Sequence, residues 1–176
     1  MKRERTGREI VEWAFPFFFF SDASRCASLQ LERIQDSKVS GLRESLQLWF
    51  DWQTLMTQLW RMRKAALLIA RVQSAQSPVG VAVKQFDEVL PNLKLYRDVF
   101  EHMDSYVLED NNRHNLHVGN GGLQVGTFSQ EEFRWAIDDT VVYFDDVALA
   151  SSTLYRKVKD IVDEIVSTEE QEITKK

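Results

Sequence analysis

The sequence predicts a mainly α fold, an up-and-down helical bundle with a small antiparallel β-meander inserted before the last helix. Three observations carry this. Leu48, Trp52, Leu55, Leu59, Met62, Ala66 and Ile69 follow a strict 4-3 spacing, the seam of a bundle helix of about six turns. Only seven Gly and three Pro interrupt 176 residues, which leaves room for long elements. The texture then changes at "NNRHNLHVGNGGLQVGTF", where turn residues separate short alternating runs.

Taken in order, the chain opens on a basic start, "MKRER", and the aromatic run "WAFPFFFF". Proline is incompatible with a regular helix interior and the Phe run lacks a 3.6 period. Residues 1–21 are therefore expected to form an aromatic arm, extended or in two short pieces broken at Pro16. Burying its six rings, Trp13, Phe15, Phe17, Phe18, Phe19 and Phe20, asks for a groove on the domain or on a second subunit.

The bundle proper is expected over residues 22–110. Ser21 or Asp22 caps its first helix, and Ala23, Ala27, Leu31 and Ile34 form an apolar stripe up to about Asp36. Ser40 begins the second helix, with Glu44 in its first turn and the long seam behind it. Arg61, Lys64 and Arg71 fall opposite that seam, as a solvated face or a small basic patch for phosphate or an acidic partner. "SAQSPVG" places a break around Ser77 to Gly80. Val83, Phe86 and Leu90 resume helical spacing, and Pro91 kinks the helix or opens a new one. Leu93, Tyr96, Phe100, Met103 and Val107 carry the seam to about Glu109.

The meander occupies residues 111–144, with strands expected at Leu116–Val118, Leu123–Phe128, Phe133–Ile137 and Thr140–Phe144. A helix through "EEFRWAIDD", opened by a Ser129/Glu132 capping box, competes with it. The β-rich Thr-Val-Val-Tyr-Phe stretch that follows favours strand. Asp145 or Asp146 caps a C-terminal helix over 145–168, where Val147, Leu154, Val158, Ile161 and Ile165 recur at helical spacing, and "STEEQEITKK" is expected to fray.

Bulk properties place all 176 residues in one domain. A net charge of −5 argues against a broad nucleic-acid-coating surface. Cys26 is the only cysteine, so the chain can form no internal disulfide and no cysteine-based zinc site; a reducing cytoplasm is the expected compartment, and Cys26 reads as a small buried residue. The run Trp13 to Phe20 is far short of the ~20 apolar residues that span a bilayer, so no membrane partner is expected.

Chemistry concentrates in "LYRDVFEHMD", residues 95–104. Arg97 and His102 stand in an R-x4-H arrangement with Asp98 directly after the arginine. In a helical bundle this resembles the HEPN superfamily (higher eukaryote and prokaryote nucleotide-binding). The segment with its Gly-rich follow-on is also similar to uncharacterised bacterial proteins of this length. The HEPN resemblance implies metal-independent RNA cleavage of toxin-antitoxin or phage-defence type, by a homodimer, with an antitoxin or other protein as a further partner. It implies a catalytic set of Arg97, Asp98 and His102. The imidazole would move the 2′-hydroxyl or leaving-group proton, the guanidinium would stabilise the phosphorane-like charge, and Asp98 would orient the imidazole. Five residues along a regular helix put Arg97 and His102 ~140° apart, so one copy does not aim both at one phosphate. Pairing of two motif helices across a dimer cleft, which the resemblance also implies, would remove that obstacle.

The same residues also read as surface ion pairs, Arg97 with Glu101 and Asp98 with His102, each worth ~0.2–0.5 kcal/mol. No cofactor and no metal are expected: His114 and His117 lack a supporting thiolate or carboxylate spacing, and "VGNGGLQVG" lacks the Lys-Ser/Thr and following helix of a phosphate loop, an Asn120-Gly121 turn explaining it better. Turn and cap duties account for Asp138, Asp139, Asp145 and Asp146. Trp49, Trp52 and Trp60 read as core or interface residues. Against the nuclease stands a non-catalytic interaction module or structural subunit, in which the aromatic arm and the meander bind another protein.

Overall fold

A computed structural model describes residues 7–38, 40–71, 76–101, 126–135 and 140–174. Within them the fold is mainly helical, with a three-stranded antiparallel sheet before the last helix. The order is α1 (Gly7–Asp36), α2 (Leu42–Ile69), α3 (Gln76–Val89), α4 (Leu93–Glu101), β1 (Gly126–Phe128), β2 (Glu132–Trp135), β3 (Val141–Tyr143) and α5 (Phe144–Thr174).

The long seam is the core. All seven of its residues, Leu48 to Ile69, are buried, and Phe20, Ala23, Ala27 and Ile34 of α1 pack with them in the same cluster. Burial of large apolar side chains contributes roughly 1.5–3 kcal/mol each, which makes this stripe the dominant stabilising feature. The α1/α2 hairpin is the most extensive helix pairing of the fold, and α5 packs on α3 and α1, with Phe20 stacked on Tyr155 at 5.9 Å. In α5, Val147, Leu154, Val158 and Val162 are buried while Ile161 and Ile165 are half-buried.

Three boundaries differ from the sequence reading. The aromatic segment is no arm: α1 runs unbroken from Gly7 through Pro16, and residues 21 and 22 lie inside it instead of capping it. Pro16 removes one helical hydrogen bond, but Phe20, one turn on, is fully buried and anchors the helix there. Next, Pro78 sits in the first turn of α3, where its missing N–H has no helical acceptor to lose, so the break falls before Gln76 and not at Ser77 to Gly80. Finally, α5 continues to Thr174, past the expected end at residue 168.

Strand order is β1-β2-β3, with Phe128 opposite Phe133 and Phe133 opposite Val142. Alternation turns Phe133 and Val142 inward, both buried, and leaves Arg134 exposed. Phe133 lies 5.9 Å from the Trp52 ring and 6.1 Å from Trp49. Two polar contacts then fasten the β1–β2 turn to the hairpin. The Trp52 indole N–H donates to the Ser129 carbonyl at 2.8 Å, and the Gln130 amide donates to the carbonyls of Ile34, Gln35 and Ser37. Gln130 thereby helps cap the C-terminus of α1, whose last carbonyls have no N–H left within the helix to accept from, alongside Ser37, which donates to the Ile34 carbonyl. The expected strand Leu116–Val118, the Asn120-Gly121 turn, His114, His117, Asp138 and Asp139 lie outside the described residues. Asp145 and Asp146 occupy the first turn of α5, where the helix dipole favours negative charge.

Candidate functional site

Helix α4 is short, follows the Pro91 turn, and turns Leu93 and Tyr96 into the core against α2. Its outward side carries the charged residues. The Lys94 ammonium donates to one carboxylate oxygen of Asp98 at 2.7 Å, and the Arg97 guanidinium donates to the other at 2.7 Å. Burial alone would raise the Asp98 pKa, but the hydrogen bonds from Lys94 and Arg97 outweigh it and hold the carboxyl below the ordinary range.

Arg97 and Asp98 are thus brought together, while His102 lies outside the described residues, as does the side chain of Glu101. Both oxygens of Asp98 already accept from cations, so the carboxylate stands as the hub of a Lys94–Asp98–Arg97 cluster. Neither i, i+4 pairing read from the sequence included Lys94, although it lies one turn before Asp98. Among the described residues no group of three or more His, Cys, Asp or Glu is placed to hold a metal ion, and no helix is long and apolar enough to cross a membrane.

A second surface emerges on α1, whose phenylalanines the sequence marked as a contact without revealing the helical seam they belong to. Besides the inward stripe, Phe15, Phe19, Asp22, Cys26, Leu29 and Arg33 follow a 4-3-4-3-4 spacing that faces away from the core. Phe15 and the flanking Phe18 are 62% and 66% exposed. Phe15 and Phe19 meet edge to face at 4.8 Å, and Phe18 meets Phe19 the same way at 6.1 Å. Cys26 is half-exposed on this seam, not the buried residue expected. The signal was the spacing itself, obscured because Pro16 and five phenylalanines among six residues hide any helical period.

Next to this ridge lies the cationic side of α2. Arg61 approaches Asp22 at 4.0 Å, and Trp60 is half-buried beneath the Arg63 and Lys64 cations, 5.3 and 5.8 Å from its ring centre. Arg63 also forms a two-point pair with Asp87 of α3 at 2.6 and 2.7 Å, which raises its already high pKa through that hydrogen bond. Compared with protein-family models, with curated proteins and with solved structures, the chain gives no match.

Proposed function

We propose that this chain is a non-catalytic docking module, a helical bundle that presents the aromatic ridge of α1 to another protein. The observation behind this reading is the outward exposure of Phe15, Phe18 and Phe19 on a helix whose inward side packs into the core. Contiguous exposed aromatics of this size are uncommon on monomers and mark contact surfaces. The meander, which the sequence suggested as part of the contact, turns Phe133 and Val142 inward and leaves the ridge as the better surface. A photo-crosslinking residue in place of Phe18 should yield one dominant covalent adduct in the native host, absent when the same residue replaces exposed Arg134 on the sheet. No adduct specific to position 18 would reject the reading.

A second reading, the metal-independent ribonuclease of toxin or phage-defence type acting as a homodimer, is favoured by the Lys94–Asp98–Arg97 cluster. Two cations converge there on the helix that precedes His102 in the chain. In this reading Arg97 stabilises charge on a scissile phosphate and His102 transfers the proton. Purified protein would then cleave RNA in EDTA, and His102→Ala would abolish cleavage without shifting the melting temperature. Unchanged cleavage in that variant would remove His102 from the mechanism.

A further inference from the structure

We infer that the outer face of the α1/α2 hairpin is a seat for an acidic amphipathic helix of another protein. This rests on the docking reading above and specifies the chemistry of the partner.

Geometry points to a helix. The pairs Asp22–Arg61 and Arg33–Asp51 fix α1 and α2 as antiparallel and set Phe15 level with Leu68. The exposed 4-3-4-3-4 seam of α1 therefore runs beside the outward side of α2 and has the spacing that a further helix packs against. Large apolar side chains lie at both ends of this two-helix face. Phe15, Phe18, Phe19 and Leu68 stand at one end; Leu29, Phe50 and Leu46 stand toward the other. Phe19 and Leu29 are ten residues apart, roughly 15 Å along the helix, a separation that a partner helix bridges with residues three turns apart.

The surface is also large enough. These seven side chains are most of the eleven large apolar residues exposed among the described residues. At ~200 Å² for a fully open ring they leave on the order of 600 Å² of apolar surface uncovered. Divided between the two ends, this area together with the charged middle approaches the ~800 Å² that one side of a stable interface buries.

Charge identifies the partner. In the middle of the face stand Arg25, Arg61 and Lys64, all exposed, against Asp22, while toward the Leu29 end Arg33 is matched by the buried Asp51 and the exposed acids Glu32 and Asp36 share the outer side of α1. The middle of the face is thus locally cationic on a chain of net charge −5. A second copy presenting the same face would set these cations against one another, a juxtaposition that costs binding energy. A bilayer surface favours an unbroken apolar helix face, whereas Asp22, Cys26 and Arg33 interrupt this one. An acidic helix with apolar residues at heptad spacing satisfies both features.

The test uses the full chain and two fluorescein-labelled eighteen-residue helical peptides, each with leucine at the heptad core positions, one with glutamate and one with lysine elsewhere. By fluorescence anisotropy the glutamate peptide should bind and weaken several-fold between low and high salt, and the lysine peptide should not. Phe18→Ser should weaken binding at least ten-fold, and the double variant Arg61→Glu with Lys64→Glu should reverse the preference. Equal binding of both peptides, lost in Phe18→Ser, would overturn the acidic assignment and leave the docking reading standing. Three other outcomes also overturn the inference: binding of neither peptide, binding of anionic phosphatidylglycerol vesicles instead, or a dimer by light scattering that Phe18→Ser dissociates.

Discussion

Helices α1 and α2 lie antiparallel, are close to equal in length, and both carry residues at 4-3 spacing, yet the two seams meet different fates. That of α2 is buried along its whole length by α1, α4, the sheet and other elements of the same chain. On the outward seam of α1, Phe15, Phe19 and Leu29 stay open to solvent, and Asp22 and Arg33 reach α2 through ion pairs with Arg61 and Asp51. Spacing specifies that a helix has a face; whether that face is covered depends on what else the chain brings to it. The contrast also separates core from contact surface, since the α2 stripe ends in aliphatic residues whereas the exposed seam is aromatic and interrupted by charge.

The comparison breaks most readily at Trp52. Trp52→Ala should cost about 3–5 kcal/mol in denaturant unfolding, through the cavity left in the core, and would strip the Ser129 carbonyl of its donor; a loss under about 1 kcal/mol would show that the α2 seam is not the core. Pro16→Ala sharpens the account of α1. Restoring the missing hydrogen bond in a continuous helix should raise stability by about 2 kcal/mol, and a decrease would return residues 7–20 to a separate arm.

Where the two helices touch, Asp51 is buried and accepts from Arg33 at 2.8 Å and Gln47 at 3.2 Å. Asp51→Ala should cost about 1–2 kcal/mol, less than for a fully buried pair because the arginine is half open to water. At Asp98 the depressed carboxyl pKa stabilises the fold above the ordinary carboxylate range, and this contribution is lost as pH falls through the lower folded value. The melting-temperature gap between wild type and Asp98→Asn should therefore be open at pH 7 and close in acid, with a size below about 1 kcal/mol for a partly exposed pair. Smallest of all, Phe18→Ser should change stability by less than about 0.5 kcal/mol, because the ring is largely exposed and meets only the edge of Phe19 among the described rings; a larger loss would make the ridge structural.

Much of the architecture was legible because it is local. The α2 seam, the strands around Phe128, Phe133 and Val142, and the apolar spacing of α5 follow from periodicity that neighbouring residues reinforce. Pro16 was misread because a local rule was applied without the tertiary anchor at Phe20 that offsets it. Asp51 and Gln130 could not be found at all, since their partners lie on other elements and no spacing connects them. Within the R-x4-H segment the sequence singled out Arg97 and Asp98, but the carboxylate's allegiance to Lys94 depended on side-chain geometry that the two overlapping charge pairs left open.

Gln130 has a dynamic consequence. One side-chain amide on a β-turn holds the tail of a 30-residue helix, so the sheet cannot lift away without unlatching α1. Amide protons at the end of that helix and in the central strand should consequently exchange with solvent in a single shared opening event, binding segments nearly a hundred positions apart into one cooperative unit.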